Sequence, residues 1–176
     1  SAVYASPLTR TQLTGTPLAT ARGLDINVVE GIEEIVAGDL EMATDWDSVR
    51  EYMKAAWLWA TGDHAHRMPG GESGRDFFRR YDEAISQIAD AHAGETVAAV
   101  SHGAAIRVWA AARAMNEETE VAIERRLQNT GMAVLEGDPD AGWELRDWHE
   151  EPLGGTNLED PSAHDVTGDP DEAPVL

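Results

Sequence analysis

The segment VAAVSHGAAIRVWAAA, at residues 97–112, constrains the fold more than any other part of the sequence. Four apolar residues lead to Ser101, His102 and Gly103, and apolar residues at helical spacing follow. The apolar run is too short for a surface helix, so it predicts a strand buried on both faces within a parallel sheet. His102 would then lie at the carboxyl end of that strand, where open α/β sheets place their ligand sites. A hydrogen-bonded loop histidine is the alternative.

Strand-like and helix-like patterns alternate along the chain, which predicts an α/β layered sheet. Apolar runs predict parallel strands, and two later runs joined by DPDA predict a hairpin at the sheet edge. These runs cover 2–6, 26–32, 97–101, 131–137 and 143–149.

Helix signals lie between these runs. Ser6 is placed as the N-cap of a helix with Pro7 at its first position. Residues 46–60 have the apolar spacing of an amphipathic helix. Ser73 followed three residues later by Asp76 is a variant of the capping box, which predicts that another helix begins there. The stretch 104–114 predicts a fourth.

Composition limits the classes of function. The formal net charge is -20 and the pI is near 4.4, which argues against nucleic acid and against an anionic membrane surface. A small phosphorylated substrate stays compatible, because a local cluster of Arg and His can outweigh distant charge. The chain has no cysteine, and neither a membrane-spanning run nor a signal peptide is visible. We therefore expect a cytoplasmic protein; a homodimer is left open.

The charge distribution divides the chain. We expect one domain over residues 1–150, followed at 151–176 by an acidic tail rich in Pro and Gly that is extended or disordered.

Two predicted strand ends carry residues suited to an anion. If strands 2–6 and 97–101 are parallel, Arg10 and His102 meet at one edge of the sheet, beside helix N-termini. The planar guanidinium of Arg10 matches a phosphate group. The alternative for Arg10 is a solvated helix arginine.

Five segments together resemble one family. YASPLTRTQLT is similar to a Ser-x-Leu-x-Arg-x-x-x-Thr motif with threonine or alanine after the arginine. IEEIVAGDLE is similar to a stretch in which Glu34, Gly38 and Glu41 match. GGES at 70–73, SHG at 101–103 and QNTG at 128–131 follow in the same order. This combination resembles the histidine phosphatase superfamily, the phosphoglycerate-mutase-like proteins. The resemblance implies a three-layer α/β/α sandwich with a mostly parallel central sheet.

One motif of that family is missing from the printed residues. Its name-giving Arg-His-Gly, whose histidine takes the phosphoryl group, does not occur; the only His-Gly is His102–Gly103. We therefore predict that the domain is incomplete at its amino terminus and that a strand outside the printed sequence separates strands 2–6 and 97–101. The printed chain alone is expected to be inactive.

The resemblance also implies roles for particular residues. Arg10 would hold the phosphoryl oxygens, His102 would donate a hydrogen bond or positive charge to them, and Glu34 would be the general acid and base. Candidate substrate-binding residues are Ser6, Glu72, Ser73, Gly103 and Ala104. Ser6 fits a helix cap better than a catalyst, and Glu72 and Ser73 fit a structural turn.

No cofactor or metal is expected. The cluster DHAHR at 63–67 could resemble a metal site, but no second cluster supplies the remaining ligands. We expect the segment 42–70 to set substrate preference, with Trp57 and Trp59 at the mouth of the pocket.

The function implied is hydrolysis of a small phosphorylated metabolite through a phosphohistidine. A phosphoglycerate-mutase-type phosphotransferase is the first alternative, although Arg50, Lys54 and Arg67 are few cations for a second phosphate. A non-catalytic anion-binding or interaction module is the second, should the nucleophile be absent from the protein.

Overall fold

The computed structural model describes residues 2–155, so most of the predicted tail, from residue 156 on, lies outside the described residues. Helices and strands alternate along the first part of the chain, and a hairpin follows them. Their bounds are β1 Val3–Ala5, α1 Thr9–Arg22, β2 Ile26–Val28, α2 Trp46–Ala60, α3 Gly74–Ala91, β3 Ala98–Val100, α4 Gly103–Arg113, α5 Thr119–Ile123, β4 Met132–Asp138 and β5 Gly142–His149. A single 3-10 turn, Gly38–Leu40, interrupts the long connection between β2 and α2.

Strands β2, β1 and β3 form a parallel sheet in that order. The predicted α/β class with a parallel sheet is confirmed. The prediction of a further strand between β1 and β3 is wrong, because the two strands bond directly. Ser6 N donates to Val100 O at 3.1 Å and Ala98 N donates to Ala2 O at 3.0 Å. The residues of both strands are in register, so their backbones satisfy each other without an intervening chain.

Strand β3 is less buried than its apolar sequence predicts. Ala99 is exposed, and among the described strands only β1 pairs with β3. Helix α1 covers one face closely, since a side chain at Gly15 would meet Val100 at 3.3 Å. An edge position with one covered face explains why the predicted burial on both faces is wrong.

The predicted hairpin is confirmed, but its predicted place is not. β4 and β5 pair antiparallel as a separate two-stranded sheet, with an irregularity between Val134 and Leu135. One of its links to the rest is a bridge between Ala114 and Trp143, where Met115 N donates to Trp143 O at 2.9 Å. The hairpin therefore docks beside the end of α4 rather than on the described edge of the parallel sheet.

Helices α2, α3 and α4 enclose an aromatic core. Trp59 and Phe77 stack at 5.8 Å, and Tyr81 lies 5.5 Å from both Phe77 and Trp109, measured between ring centroids. Helix α2 has the predicted bounds. The helix predicted to follow Ser73 begins at Gly74 with a reciprocal cap between Ser73 and Asp76. None of the helices in the described residues is long and apolar enough to cross a membrane.

The predicted cap at Ser6 is wrong. Helix α1 begins at Thr9, its N-cap is Leu8, and no side chain caps it. Ser6 is fully buried and its hydroxyl faces Thr11 at 2.8 Å and His102 at 2.9 Å. The Ser6 hydroxyl thus bonds to His102, which follows the neighbouring strand, and does not cap α1 as the local sequence predicts.

Candidate active site

A cleft of about 830 Å³ extends along β3 and past its carboxyl end. Its walls come from α1, from the β3–α4 junction, from residues 34–53 and from residues 127–132. Arg10, Glu34, His102 and Gly103 all line it. The structure thus brings together three side chains that are far apart in sequence.

His102 follows β3 and is held from both sides of its ring. Arg10 donates from Nε at 3.2 Å and from the Nη2 end of its fork at 2.9 Å, both to His102 Nδ1. Since Nδ1 accepts, the ring proton sits on Nε2, which donates to Ser6 Oγ at 2.9 Å. Thr11 continues this buried chain by donating to the backbone oxygen of Leu8 at 2.8 Å.

The ring of His102 is neutral at pH 7 in this arrangement. Burial, followed by the charges of Arg10 and Arg80, lowers the pKa of His102 to about 4. In the described state His102 therefore presents no positive charge to the cleft, and its one ring proton is used by Ser6. The expected donation from His102 to a phosphate requires that Arg10 first leave Nδ1.

Glu34 belongs to the irregular connection after β2 and caps the start of α4. Its Oε1 accepts from Ala105 N at 3.0 Å and from Ile35 N at 2.9 Å. Burial raises the pKa of the Glu34 carboxyl, and it outweighs the opposing effect of these amides and of Arg10. A carboxyl with a raised pKa can carry the proton that a general acid must give up.

The remaining candidates separate into two groups. Gly103 lines the cleft, whereas Ser6, Glu72, Ser73 and Ala104 do not. Ser73 caps α3, and Ala104 is buried with its backbone N–H directed at Glu34. In the cleft as it stands, polar groups of these four residues are used inside the protein, so their contact with a substrate stays a prediction.

Glu72 is a buried acid that binds Arg80, a residue that the sequence reasoning missed. Arg80 Nε and Nη2 donate to the Glu72 carboxylate at 3.0 and 2.7 Å. The helical pattern contained a signal that Arg80 is partly buried, because Arg80 lies on the apolar face of α3 between Phe77 and Tyr81. A cation there requires an internal partner.

The mouth of the cleft differs from the prediction. Trp59 is fully buried and donates to His66 O at 2.9 Å, and neither it nor the exposed Trp57 lines the cleft. Met42, Tyr52 and Met53 take that place. Helical spacing alone could not decide which face of α2 meets the cleft and which meets α3.

The cleft has few positively charged side chains. Among its lining residues that the structure describes, Arg10 is the only lysine or arginine. Arg50 pairs with Asp47 and Arg67 with Asp76 on the surface.

In residues 2–155 no group of three or more His, Cys, Asp or Glu side chains could hold a metal ion. His64 of the DHAHR cluster packs against Phe78 at 4.6 Å.

Comparisons with known proteins identify the family and the fold of the chain. A family model described as the histidine phosphatase superfamily, branch 1, matches residues 1–151. A PE-PGRS family protein of Mycobacterium tuberculosis is 30% identical over 173 residues, which cover 89% of this chain and 29% of that protein. Phosphoserine phosphatase 1 of Hydrogenobacter thermophilus is 29% identical over 105 residues, which cover 60% of this chain and 50% of that protein. The chain thus spans half or less of the length of these relatives.

Solved structures share the fold. A mycobacterial glucosyl-3-phosphoglycerate phosphatase superposes with a TM-score of 0.68 at 21% identity, covering 85% of this chain and 76% of that one. The family resemblance of the sequence motifs is confirmed. Because the family model extends over nearly all of the described residues, this chain belongs to branch 1 of the histidine phosphatase superfamily.

Proposed function

We propose that this protein hydrolyses a small phosphomonoester through a phosphohistidine intermediate. The observation that carries the proposal is the convergence of Arg10, His102 and Glu34 on one cleft in a chain of this family. Relatives named for phosphoserine and for glucosyl-3-phosphoglycerate support a small phosphorylated substrate.

Phosphate binding would reorganise the cationic side of the cleft. The donors of Arg10 that now face His102 Nδ1 would turn to the phosphoryl oxygens, where a planar fork matches two of them. Nδ1 of His102 would then be free to take a proton beside the bound dianion and return it as a hydrogen bond. Charge on the transferring group is thereby met by two cations, as phosphoryl transfer requires.

Glu34 would serve both half-reactions. As the nucleophilic histidine forms the N–P bond, the P–O bond to the alcohol breaks and the Glu34 carboxyl gives its proton to the departing oxygen. In the second step the Glu34 carboxylate accepts a proton from water, whose oxygen attacks phosphorus and releases phosphate and the histidine.

The nucleophilic histidine is not one of the printed residues, so the proposal concerns a protein that also carries it. We place its strand beside β3, on the edge opposite β1. Residues 98–100 of β3 and Gly131 and Met132 at the start of β4 line the cleft from two sides. A strand between them would gain backbone partners and would end near Arg10 and His102.

A mutase is less well supported than a phosphatase. Holding a second phosphate needs further cations, and among the described lining residues Arg10 is the only lysine or arginine. The non-catalytic module remains the alternative for a protein without the nucleophile.

The test compares two proteins. The product of the whole reading frame, checked by sequencing for an Arg-His-Gly, is expected to hydrolyse para-nitrophenyl phosphate equally well with and without a chelator. The printed 176 residues alone are expected to bind phosphate weakly and to turn over nothing. Measurable turnover by the printed residues alone would disprove the histidine nucleophile, and an inert whole product carrying Arg-His-Gly would disprove the phosphatase.

A further inference from the structure

All the N–H groups of the Arg80 guanidinium are used in hydrogen bonds outside the cleft. Nη1 donates to Gly31 O at 2.8 Å and to Glu33 O at 2.9 Å, and Nη2 donates to Glu34 O at 2.9 Å. Its other two hydrogen bonds go to the Glu72 carboxylate. These five bonds equal the number of N–H groups that a guanidinium has.

Glu72 completes the attachment at the other end of the same connection. Its Oε1 accepts from Val36 N at 2.8 Å, and Glu72 N donates to Val36 O at 3.1 Å. The connection also lies directly on α3, because a side chain at Gly31 would come within 2.5 Å of Arg80 O. Gly31 has a φ of 103°, which suits glycine. Residues 31–36 are thus bound at one end to Arg80 of α3 and at the other to Glu72, just before α3.

This segment has no helix or strand of its own. It lies between β2 and the 3-10 turn, so the carbonyl oxygens of Gly31, Glu33 and Glu34 have no ladder or helix partner. Arg80 supplies the donors that a ladder would have supplied. Binding the carbonyl of Glu34 itself restricts the backbone from which its side chain enters the cleft.

We propose that Arg80 is a positioning residue that, together with Glu72, holds the carboxyl of Glu34 against the start of α4 and inside the cleft. The proposal rests on the function proposed above, in which Glu34 gives and accepts the proton. Arg80 touches neither the cleft nor the reacting atoms. Its charge is paired with Glu72 at 2.7 Å and with Glu33 at 3.8 Å. Although this charge contributes to the lowered pKa of His102, the charge that acts on the Glu34 carboxyl is that of Arg10, so Arg80 acts on Glu34 through geometry.

The first test follows the Glu34 carboxyl in the printed 176 residues by carbon-13 NMR titration, with Glu34→Gln to assign its signal. Arg80→Gln is expected to lower the pKa of Glu34 toward the ordinary glutamate value, because a released segment lets water reach the carboxyl. Arg80→Lys, which keeps the charge but has three donors, is expected to lower it less. Arg79→Gln is the matched control, since Arg79 is the preceding residue of α3 and pairs with Asp76 on the surface.

The second test uses turnover of the whole reading-frame product. Arg80→Gln is expected to reduce kcat on an alkyl phosphate by about a hundredfold, the scale expected of a misplaced catalytic group. KM should change little, because Arg10 and His102 keep their places. An activated aryl phosphate, whose leaving group barely needs a proton, should lose far less.

Two outcomes overturn the proposal. One is a folded Arg80→Gln protein, by circular dichroism, in which the Glu34 pKa equals that of the unmodified chain. If Arg80→Gln does not fold, Arg80→Lys and Glu72→Gln decide, and an unshifted Glu34 pKa in both disproves it. The titration does not depend on turnover. If the protein proves not to be a phosphatase, the effect of Arg80 on the Glu34 pKa can therefore still be measured and judged.

Discussion

The two halves of the cleft are held by different kinds of contact. Arg10, His102 and Ser6 are held by hydrogen bonds between side chains, with the guanidinium resting on an imidazole nitrogen. Glu34 is held by backbone amides and by a segment that Arg80 binds through its carbonyls. The side chain of Arg10 can exchange its hydrogen bonds to His102 for bonds to a ligand. Glu34 cannot leave its position without losing its hydrogen bonds to backbone amides.

The difference has a chemical consequence. A phosphate is a better partner for Arg10 than a neutral ring nitrogen, because it carries a negative charge and offers two oxygens to the two parallel donors that now share one nitrogen. The anion-binding half is thus expected to rearrange when substrate enters. The acid half is already in place, which suits a group whose proton must meet one departing oxygen. Wherever turnover is measured, the protein assayed is the product of the whole reading frame.

Replacing the fork of Arg10 is expected to have the largest effect. Arg10→Lys should lower kcat/KM by about a thousandfold, because a point charge cannot reproduce two parallel donors on a phosphoryl group. Steady-state hydrolysis of para-nitrophenyl phosphate measures it. Arg22→Lys, in the exposed last turn of α1, is the control and should leave the rate unchanged. A loss of less than tenfold in Arg10→Lys would mean that Arg10 does not contact the transferring group.

Removing the ring of His102 is expected to cost about a hundredfold in kcat, the usual loss of one preorganised donor. His102→Ala frees Arg10 in the absence of substrate, so phosphate binding should weaken less than turnover. Calorimetric titration with inorganic phosphate measures the first and initial rates measure the second. His149→Ala, at the end of β5 and outside the cleft, is the control. Equal losses in binding and turnover would contradict the exchange of partners.

The acid half is expected to show a dependence on leaving group. Glu34→Gln should reduce hydrolysis of an alkyl phosphate about a hundredfold and that of an aryl phosphate by less than about tenfold, because only the alkoxide needs the proton. Parallel rates on the two esters measure the split. Exposed Glu30→Gln should reduce neither rate. Equal losses on both esters would remove Glu34 from the role of acid.

The smallest expected effect is on stability in acid. The folded pKa of His102, about 4, lies below its ordinary 6.5, so the unfolded chain binds this proton more readily. Stability from this group is present above about pH 6.5 and is lost as the pH falls through about 4. Urea unfolding of the printed chain should therefore show a steeper loss between pH 6.5 and 4.5 than that of His102→Asn. Identical slopes in the two proteins would show that His102 does not titrate in this window.

Local signals predicted a good part of this structure. The spacing of apolar residues in 46–60 and the pair Ser73 and Asp76 specified α2 and the start of α3, and the runs around DPDA specified the hairpin. These signals act over a few residues, so a linear sequence carries them. The motifs that include Arg10, Glu34 and His102 likewise identified the family.

Sheet order and burial could not be predicted in the same way. Whether β1 bonds to β3 directly depends on backbone groups 95 residues apart, such as those of Val3 and Ala98, and side-chain patterns do not encode that choice. The hydroxyl of Ser6 has the right position to cap a helix, yet a buried imidazole is the partner it meets. Trp57 and Trp59 differ in exposure because of what packs on α2.

The sequence by itself determined the composition of the site: one arginine, one histidine and one glutamate in motifs of a single family, in an acidic chain without cysteine. Only the tertiary structure decided the protonation and the orientation of these three side chains. Arg10 and His102 are 92 positions apart, and their contact makes the ring an acceptor. Burial, followed by the charge of Arg10, lowers the pKa of the ring. Arg80 reaches the carbonyl of Glu34 across 46 positions. Protonation and orientation depend on burial and on neighbouring charges, which exist only once distant segments have packed together.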